Sequence, residues 1–506
     1  MKAKQSPLFE PVLWDGEGFK ILDETLLPGK SEYIDVREPA EALAAVRDMK
    51  TRAFGQVLTF FYAAALAARR ARGETNAELK TRMTRLADAF TEARPTFDFK
   101  ALAKYFEPWL DAPPSGQEAG GWFADKILEL VAGIAKARTH RAKMAAALLP
   151  DDCRLLTHCN VSGELVAVAL WRREMGKKLS VIATETRPYL QGSRLTAWEL
   201  GEAGVDVQLI PDGAIAQVIA GGKVNAVMVG ADRSARNGDI INKVGTYPIA
   251  VVAQEFGVPF YALVQDPGGL QSGADVEIEE RPAAELFQLQ GRALVEGPIE
   301  GRYPSFDVTP AHLIARLIGF DGVYTPEEFR QKYRPEISPA AGKKSPAGHI
   351  LLYGVPNPSE YKSLARSLRL EKAEHILTAE MRPELWGLHF VAKEMKAQNL
   401  PVEIISDNMM GTFFAQGAIR RLYLYYSEVG AEGPVGVCGS LTAVLLARAH
   451  GVPIELIAGE KVSAAPVDRD VSTFMGERVA PEGAALYPLA PEVIPWPLFQ
   501  DKKEKR

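Results

Sequence analysis

The stretch TETRPYLQGSRLTAWELGEAGVDVQLIPDG (184–213) decides the fold. It begins at the end of an apolar, β-branched run, LSVIAT (179–184), and passes through SRLTAWELGEAG (193–204), which is helical in period and closed by Gly. A second apolar run, DVQLIP (206–211), follows at once. A strand, an amphipathic helix and a strand in this order are typical of a parallel βαβ unit.

The same alternation extends toward the C-terminus. NAVMVG (225–230) and PFYALV (259–264) are further strand-like runs, and AIAQVIAGG and GTYPIAVVAQEFG before them have helical periods and end in Gly. Residues 1–130 differ, since a small hairpin is followed by Ala, Leu, Arg and Glu at helical spacing. The fold class is therefore α/β, with a mainly helical N-terminal region and a Rossmann-like, doubly wound parallel sheet.

The deciding stretch occurs twice. TAEMRPELWGLHFVAKEMKAQNLPVEIISDN (378–408) repeats it at a constant offset of 195, and the Gly-Val-Pro at 257–259 recurs at 451–453. Unrelated α/β domains share apolar periodicity, but they rarely share the same polar residues and glycines without a gap. We predict an internal duplication with a second, degenerate Rossmann-like domain. The matched residues of the first copy are Glu185, Arg187, Pro188, Leu190, Gly192, Glu199, Ile210 and Asp212.

Four segments follow from these patterns. We expect a helical domain over 1–130, a catalytic Rossmann-like domain over 131–335, and a degenerate repeat over 350–506. Residues 336–349, in a stretch rich in Pro, Ala, Gly and Lys, are predicted to be a linker.

Composition excludes several classes of function. The formal net charge of −5 argues against a nucleic-acid partner. Three cysteines without a CxxC pair make neither a disulfide framework nor a zinc motif, and His158 has no partner His at metal spacing. There is no GxGxxG or P-loop, so no nucleotide cofactor is expected. The N-terminus lacks a signal-like apolar run and 57–68 is too short to span a bilayer, so we expect a cytoplasmic protein without a membrane partner.

Three polar stretches follow the predicted strands, at 154–164, 185–194 and 230–247. Ligands of doubly wound sheets bind outside the carboxyl ends of the strands, so these stretches predict a site for an anionic, hydroxyl-rich ligand. Cys159 precedes a predicted helix start, where the helix dipole lowers a thiol pKa. Asp232 follows a buried strand, where burial raises a carboxyl pKa. A thiol and a carboxyl group of matched pKa can move one proton between adjacent carbons.

Each of these residues also has a structural interpretation. Cys159 can be a small buried apolar side chain. Asp232 and Asp239 can cap loops or helix starts. The pair Asn242-Lys243 can be the solvated start of a helix. Spacing alone does not decide between the two readings.

Longer motifs identify a family. The chain resembles the 5-methylthioribose-1-phosphate isomerases from about residue 12 to 330. Their superfamily includes ribose-1,5-bisphosphate isomerase and the regulatory subunits of eukaryotic initiation factor 2B. The motifs that carry the resemblance include THCN (157–160), ETRPYLQGSRLTAWEL (185–200), VGADRSARNGDIINKVGTY (229–247) and PSFDVTPAHLI (304–314).

The resemblance implies the site and the reaction. Members of the family convert an aldose 1-phosphate to a ketose 1-phosphate without a metal or cofactor, in methionine salvage. The cysteine of THCN and the aspartate of GADR, here Cys159 and Asp232, are their catalytic pair. We assign hydrogen transfer at the sugar carbons to Cys159 and proton movement at the sugar oxygens to Asp232; both a hydride shift and an enediolate stay open. The implied substrate-binding residues are Arg52, Arg94, Gln191, Asn242 and Lys243.

Two departures bear on specificity. The family's Arg-Gly-Ala-Pro loop is Arg52-Ala53-Phe54-Gly55 here, and THCN is followed by VSGE instead of AG. The substituent at the sugar C5 is therefore left open. The alternatives are isomerisation of another pentose 1-phosphate, such as ribose 1,5-bisphosphate, and a non-catalytic, sugar-phosphate-sensing regulatory protein.

The second copy lacks these groups. At offsets of 194–195, Gly354 replaces Cys159, Tyr426 or Ser427 replaces Asp232, and Gly436-Val437 replaces Asn242-Lys243. The resemblance implies dimerisation through the sheet domains. Either the duplicate takes the partner's place in an intrachain pseudo-dimer, or it faces solvent and the first copy forms an ordinary homodimer.

Overall fold

The computed structural model describes residues 5–94, 97–111, 118–289, 292–293, 300–336, 348–370, 375–461 and 470–500. The chain forms two compact units. The helical unit comprises Met1–Ala147 and Val161–Met175, and the sheet unit comprises Leu148–Asn160 and Gly176–Arg506. None of the helices in the described ranges is both long and apolar enough to cross a bilayer.

The helical unit begins with a three-stranded antiparallel sheet and continues as helices, which confirms the predicted N-terminal region. Phe60 is the centre of its core, with the rings of Phe90 and Phe99 at centroid distances of 5.3 and 5.4 Å. Thr75 starts one helix with a capping box, because its hydroxyl accepts from the backbone N–H of Glu78. The elements are β1 (Val12–Trp14), β2 (Phe19–Leu22), β3 (Tyr33–Val36), α1 (Pro39–Arg47), α2 (Phe54–Arg70), α3 (Asn76–Ala93), α4 (Phe99–Ala103), α5 (Glu107–Asp111), α6 (Ala119–Leu148) and α7 (Glu164–Glu174).

The first sheet of the sheet unit has the strand order of a Rossmann-like fold, and its strands lie where the apolar runs predicted them. Its segment of the chain contains β4 (Asp152–Thr157), β5 (Lys178–Thr184), β6 (Asp206–Ile210), β7 (Ala226–Gly230), β8 (Arg233–Ser234), β9 (Ile240–Lys243), β10 (Phe260–Leu263), β11 (Gln288–Leu289), β12 (Arg292–Ala293), β13 (Glu300–Gly301), β14 (Phe306–Thr309), β15 (Arg316–Ile318) and β16 (Val323–Tyr324). The order is β6-β5-β4-β7-β10-β15-β16, parallel as far as β15, and β8, β9 and β14 form a small antiparallel sheet. The helices are α8 (Ala197–Glu202), α9 (Ile215–Ala220), α10 (Thr246–Glu255) and α11 (Pro326–Tyr333).

The second sheet repeats this order, which confirms the duplicated Rossmann-like fold. Its helices are α12 (Tyr361–Leu370), α13 (Ala392–Ala397), α14 (Met410–Ala415) and α15 (Ser440–Ala449). Its segment of the chain contains β17 (His349–Tyr353), β18 (His375–Ala379), β19 (Val402–Ile405), β20 (Ile419–Tyr426), β21 (Glu428–Val429), β22 (Pro434–Gly436), β23 (Ile454–Ala458), β24 (Thr473–Phe474), β25 (Glu477–Arg478), β26 (Ala485–Leu486) and β27 (Glu492–Val493). The order β19-β18-β17-β20-β23 matches β6-β5-β4-β7-β10 strand for strand.

The duplication extends to backbone detail. In each copy, the turn after the second strand, β5 or β18, contains a residue with a left-handed backbone. These residues are Thr186, at φ 61°, and Met381, at φ 59°. A short π-helical turn then begins at Gly192 and at Gly387. A Cβ atom at either glycine would lie 1.7 Å from a carbonyl oxygen of the preceding strand, so only glycine allows this close approach.

The two sheets exchange edge strands. β13, which follows the first copy in the chain, pairs in parallel with β19 of the second sheet. β26, which follows the second copy, pairs in parallel with β6 of the first sheet. Helices α10 and α15 pack against each other, and the Tyr247 hydroxyl lies 2.8 Å from Nε2 of His450. One apolar core runs through both copies.

Most of the predicted linker, residues 337–347, lies outside the described residues. The four-segment division of the chain stays a prediction.

Candidate functional site

The three predicted polar stretches follow β4, β5 and β7 at the carboxyl edge of the first sheet. Strands β4 and β7 are neighbours, with Leu155 paired to Ala226 in parallel register. Cys159 follows the first of them and Asp232 the second. The thiol and the carboxyl group that the sequence singles out therefore leave the same edge of the sheet from adjacent strands.

Cys159 lies in a tight turn whose backbone is hydrogen-bonded on both sides. Its φ of 63° is left-handed, and its N–H donates to Oγ1 of Thr186 at 2.9 Å. Its carbonyl accepts from the hydroxyl of Thr196 at 2.6 Å. Thr186 is held in turn by Asp212, whose carboxyl accepts the N–H groups of Thr186 at 2.9 Å and Arg187 at 2.7 Å. Burial raises the pKa of Asp212 well above its usual value, and the Glu185 carboxylate adds to the shift.

His158 ties this turn to the loop that carries Lys243. Its Nδ1 lies 2.7 Å from Oγ1 of Thr184, and its Nε2 lies 2.8 Å from the carbonyl oxygen of Val244. A carbonyl only accepts, so Nε2 carries the proton and Nδ1 accepts from the threonine hydroxyl. Burial lowers the pKa of His158 to about 4, so the ring is neutral at pH 7. His158 is thus a buried histidine whose two ring nitrogens both have hydrogen-bond partners.

Asp232 is exposed to solvent as a residue, although the protein atoms packed around its carboxyl group desolvate that group. This desolvation raises the pKa of Asp232, as predicted, and the ammonium group of Lys243 opposes the shift. The backbone carbonyl of Asp232 accepts from Nε2 of Gln265 at 2.6 Å, which fixes the loop after β7. A carboxyl group with a raised pKa exchanges protons more readily near neutral pH.

Asn242 and Lys243 lie on β9 and both are buried, so the reading of this pair as a solvated helix start is wrong. Nζ of Lys243 lies 5.0 Å from the centroid of the Phe306 ring, and Nδ2 of Asn242 donates to Oγ1 of Thr246 at 2.8 Å. Asp239, in contrast, caps loops, because its carboxyl accepts from the backbone of residues 273 and 311. A buried cation needs a compensating negative charge, and a phosphate can supply one.

Gln191 lies at the start of the π-helical turn that follows β5. Its Oε1 is buried and has no hydrogen-bond partner within the described part of the chain. A buried amide oxygen without a partner is costly, and a ligand hydroxyl would satisfy it. This observation supports Gln191 as a substrate-binding residue.

The two predicted arginines belong to the helical unit. Nε of Arg52 lies 3.5 Å from Oε2 of Glu24. The backbone N–H of Arg94 donates to the carbonyl of Phe90 at the C-terminal end of α3. The altered loop has a defined place in this unit, since Arg138 lies over the Phe54 ring at 3.9 Å from the centroid. Ala53, in the same loop, has a left-handed φ of 41°.

In the described part of the second copy, the positions equivalent to Cys159, Asp232 and Lys243 hold no thiol, carboxyl or ammonium group. Gly354 stands in the left-handed position of Cys159, at φ 90°. β20 pairs with β17 in the register that β7 has with β4, which places Ser427 at the position of Asp232. Gly436 and Val437 correspond to Asn242 and Lys243. The predicted loss of these groups is confirmed.

Sequence reasoning missed Asp307 as a supporting residue. Its Oδ2 accepts the N–H groups of Gly245 at 2.7 Å and Tyr247 at 3.1 Å, at the start of α10. Burial raises its pKa to about 8. Asp212 also supports the site, and its repetition as Asp407 is the sequence signal for that role. Within the described ranges, no three His, Cys, Asp or Glu side chains are grouped so that they could hold a metal ion.

The fold and site define a Rossmann-order α/β protein with a thiol, a carboxyl group, an amide and a buried lysine at the carboxyl edge of one sheet. The model of the Initiation factor 2 subunit family matches residues 56–326, and the chain belongs to that family.

Its relatives include enzymes and an initiation-factor subunit. The chain is 36% identical over 339 residues to a methylthioribose-1-phosphate isomerase of Pelotomaculum thermopropionicum, covering 63% of this chain and 92% of the relative. Among solved structures, it is similar to 5-methylthioribose 1-phosphate isomerase from Pyrococcus horikoshii, at 29% identity and TM-score 0.56 over 66% of this chain and 99% of that one. It is also similar to the translation initiation factor eIF-2B subunit delta from A. fulgidus, at 34% identity and TM-score 0.56 over 64% and 99%.

Proposed function

We propose that this chain is an aldose–ketose isomerase that converts 5-methylthioribose 1-phosphate to 5-methylthioribulose 1-phosphate in methionine salvage, in the cytoplasm. One observation carries the proposal: Cys159 and Asp232 follow two adjacent strands, β4 and β7, at the same edge of the sheet. The similarity to methylthioribose-1-phosphate isomerases supports the substrate. A sensor has no need of this pair.

The residues divide the reaction between them. The phosphate on C1 blocks ordinary ring opening, so the site must first promote opening by moving a proton at the ring oxygen. Asp232, whose pKa is raised, does this. Cys159 then assists the transfer of hydrogen between C2 and C1. Lys243 and Asn242 hold the phosphate, and the Gln191 amide oxygen accepts from a sugar hydroxyl. The family resemblance also assigns substrate-binding roles to Arg52 and Arg94.

The second sheet takes the place of a partner subunit, so the chain is an intrachain pseudo-dimer. The reciprocal edge strands support this, since each copy supplies a strand to the other's sheet. The packing of α10 on α15 supports it too, because these are equivalent helices of the two copies. Solution mass tests the pseudo-dimer: a monomer is expected, and a dimer formed through the first sheet would contradict it.

Turnover tests the function. The wild type should isomerise 5-methylthioribose 1-phosphate faster than ribose 1,5-bisphosphate and other aldose 1-phosphates. Cys159→Ser should lose about 10³-fold or more in kcat, because a hydroxyl is far less acidic than a thiol. Cys438→Ser makes the same substitution at a cysteine of the second copy that is not proposed to react, and it is the matched control. Tight binding of a sugar phosphate by a wild type that turns none over would favour the sensor instead.

A further inference from the structure

We infer that the non-catalytic second sheet positions the catalytic cysteine, through Glu380, Arg382 and Asn408. These three side chains contact the loop of residues 185–187, which in turn holds the backbone of Cys159. The inference rests on the proposed function of Cys159, and it assigns a role in catalysis to a half of the molecule that has no catalytic groups.

Two buried ion pairs connect the copies. Arg187 lies against Glu380 in a bidentate pair, Nε to Oε1 and Nη2 to Oε2, both at 2.9 Å. Its counterpart Arg382 bonds the carboxylate of Glu185, with Nη2 2.9 Å from Oε2. All four side chains are almost completely excluded from solvent. The second sheet therefore holds the residue before Thr186 and the residue after it.

Asn408 adds a hydrogen bond from the second copy to the first that has no equivalent from the first copy to the second. Its Nδ2 donates to the carbonyl of Arg187 at 2.9 Å, and its own Oδ1 accepts from the Ser406 hydroxyl at 2.6 Å. The first copy has Gly213 at the equivalent position, which has no side chain to return the bond. The second copy thus supports the catalytic loop by a bond that has no counterpart in the opposite direction.

Thr186 connects the anchored loop of residues 185–187 to the backbone of Cys159. It lies between the two anchored residues, and its Oγ1 accepts the N–H of Cys159 at 2.9 Å. Cys159 is in a left-handed conformation, which has a free-energy cost and persists only where the surroundings hold it. Loosening residues 185–187 therefore displaces the turn that carries the sulfur, without touching the groups proposed to bind the phosphate.

This arrangement makes Glu380, Arg382 and Asn408 positioning residues. A misplaced catalytic group slows the chemical step by up to about a hundredfold for an error of about 1 Å, whereas substrate binding is spared. We expect Asn408→Ala and Glu380→Gln to lower kcat by about tenfold or more and to leave KM within about twofold. The rate at which iodoacetamide alkylates Cys159, and the pH dependence of that rate, should also change.

The matched control is Thr442→Val. Thr442 also lies in the second copy, is buried, and donates to a first-copy backbone carbonyl, that of Gly213, at 2.9 Å. It makes the same kind of bond across the same interface, but not to residues 185–187. Thr442→Val should leave kcat and the alkylation of Cys159 within about twofold of wild type.

Alkylation is read by peptide mass, which separates Cys159 from Cys153 and Cys438. It does not require turnover, so it still tests the inference if the wild type isomerises none of the sugars. Folded Asn408→Ala and Glu380→Gln proteins that match wild type in kcat and in the pH profile of alkylation would overturn the positioning role. Equal losses in Thr442→Val would overturn it too, because they would show a general effect of the interface.

Discussion

The first and second sheets share a strand order, a left-handed turn and a pair of ion-paired residues, yet the groups proposed for catalysis occur in the first alone. The shared features lie where the copies meet, at Glu185 and Arg187 and at their counterparts Glu380 and Arg382. The features that the second copy lacks lie at the carboxyl edge of its sheet, where Gly354 occupies the position of Cys159. The difference shows that the interface, rather than the site, is what the second copy has kept.

The two copies also share a hydrogen-bonded link behind the site, made by a different side chain in each. His158 reaches the carbonyl of Val244 at 2.8 Å, and its counterpart Tyr353 reaches the carbonyl of Cys438 at 2.7 Å. The Tyr353 hydroxyl oxygen also lies 3.0 Å from Oδ1 of Asp407. A different side chain thus makes the same link between the strand end and the loop before α15, because the link supports the fold even where no reaction occurs.

The largest expected effect is a difference in kcat between equivalent substitutions at the carboxyl edges of the two sheets. Asp232→Asn should lower kcat by about 10³-fold, since an amide can neither accept nor release the proton. Ser427→Asn changes the equivalent residue of the second copy and should leave kcat unchanged. Steady-state turnover of 5-methylthioribose 1-phosphate measures both. A similar loss in the two variants would mean that the copies do not differ as proposed.

The next effect tests what the copies share. Arg187→Ala and Arg382→Ala each leave a buried carboxylate without its partner, so each should lower the free energy of unfolding by about 3–5 kcal/mol. The two losses should be similar because the pairs are equivalent. Adding Glu380→Ala to Arg187→Ala should recover part of the loss, since it removes the unpaired charge. Urea unfolding followed by circular dichroism measures these changes, and a clear difference between the two arginine variants would contradict the equivalence of the pairs.

The sequence predicts much of this fold because its signals are local. The apolar runs at 179–184 and 206–211 correspond to β5 and β6, and the constant offset predicts the second sheet. The exchange of β13 and β26 was not predictable, because each is a two-residue strand with no periodicity of its own.

The candidate site divides in the same way. Cys159 and Asp232 stand in long, recognisable motifs and at the ends of apolar runs. The roles of Thr186 and Asn408 depend on contacts across large sequence separations, Thr186 with the Cys159 turn and Asn408 with residue 187. No spacing rule reports such contacts, since the first exists only once β4 and β5 pair and the second only once the two sheets pack.

The smallest expected effect concerns Asp307 and Glu492, which occupy equivalent places. Asp307 pairs across strands with Asn242, and Glu492 pairs with Gly436, the counterpart of Asn242. Each accepts backbone N–H groups at the start of α10 or α15. Burial raises the pKa of each carboxyl group to about 8.

These shifts predict how stability depends on pH. A carboxyl group whose pKa is higher in the folded state binds more protons folded than unfolded, so its contribution is complete below about pH 4 and is lost as the pH rises toward 8. Asp307→Asn and Glu492→Gln keep a neutral acceptor and remove this loss. Each variant should therefore gain stability relative to wild type between pH 5 and 8, by a few degrees in Tm or about 1 kcal/mol. Thermal unfolding across that range measures the gain. If only one of the two variants gained stability, the copies would differ at this position in the way they differ at the carboxyl edges of their sheets.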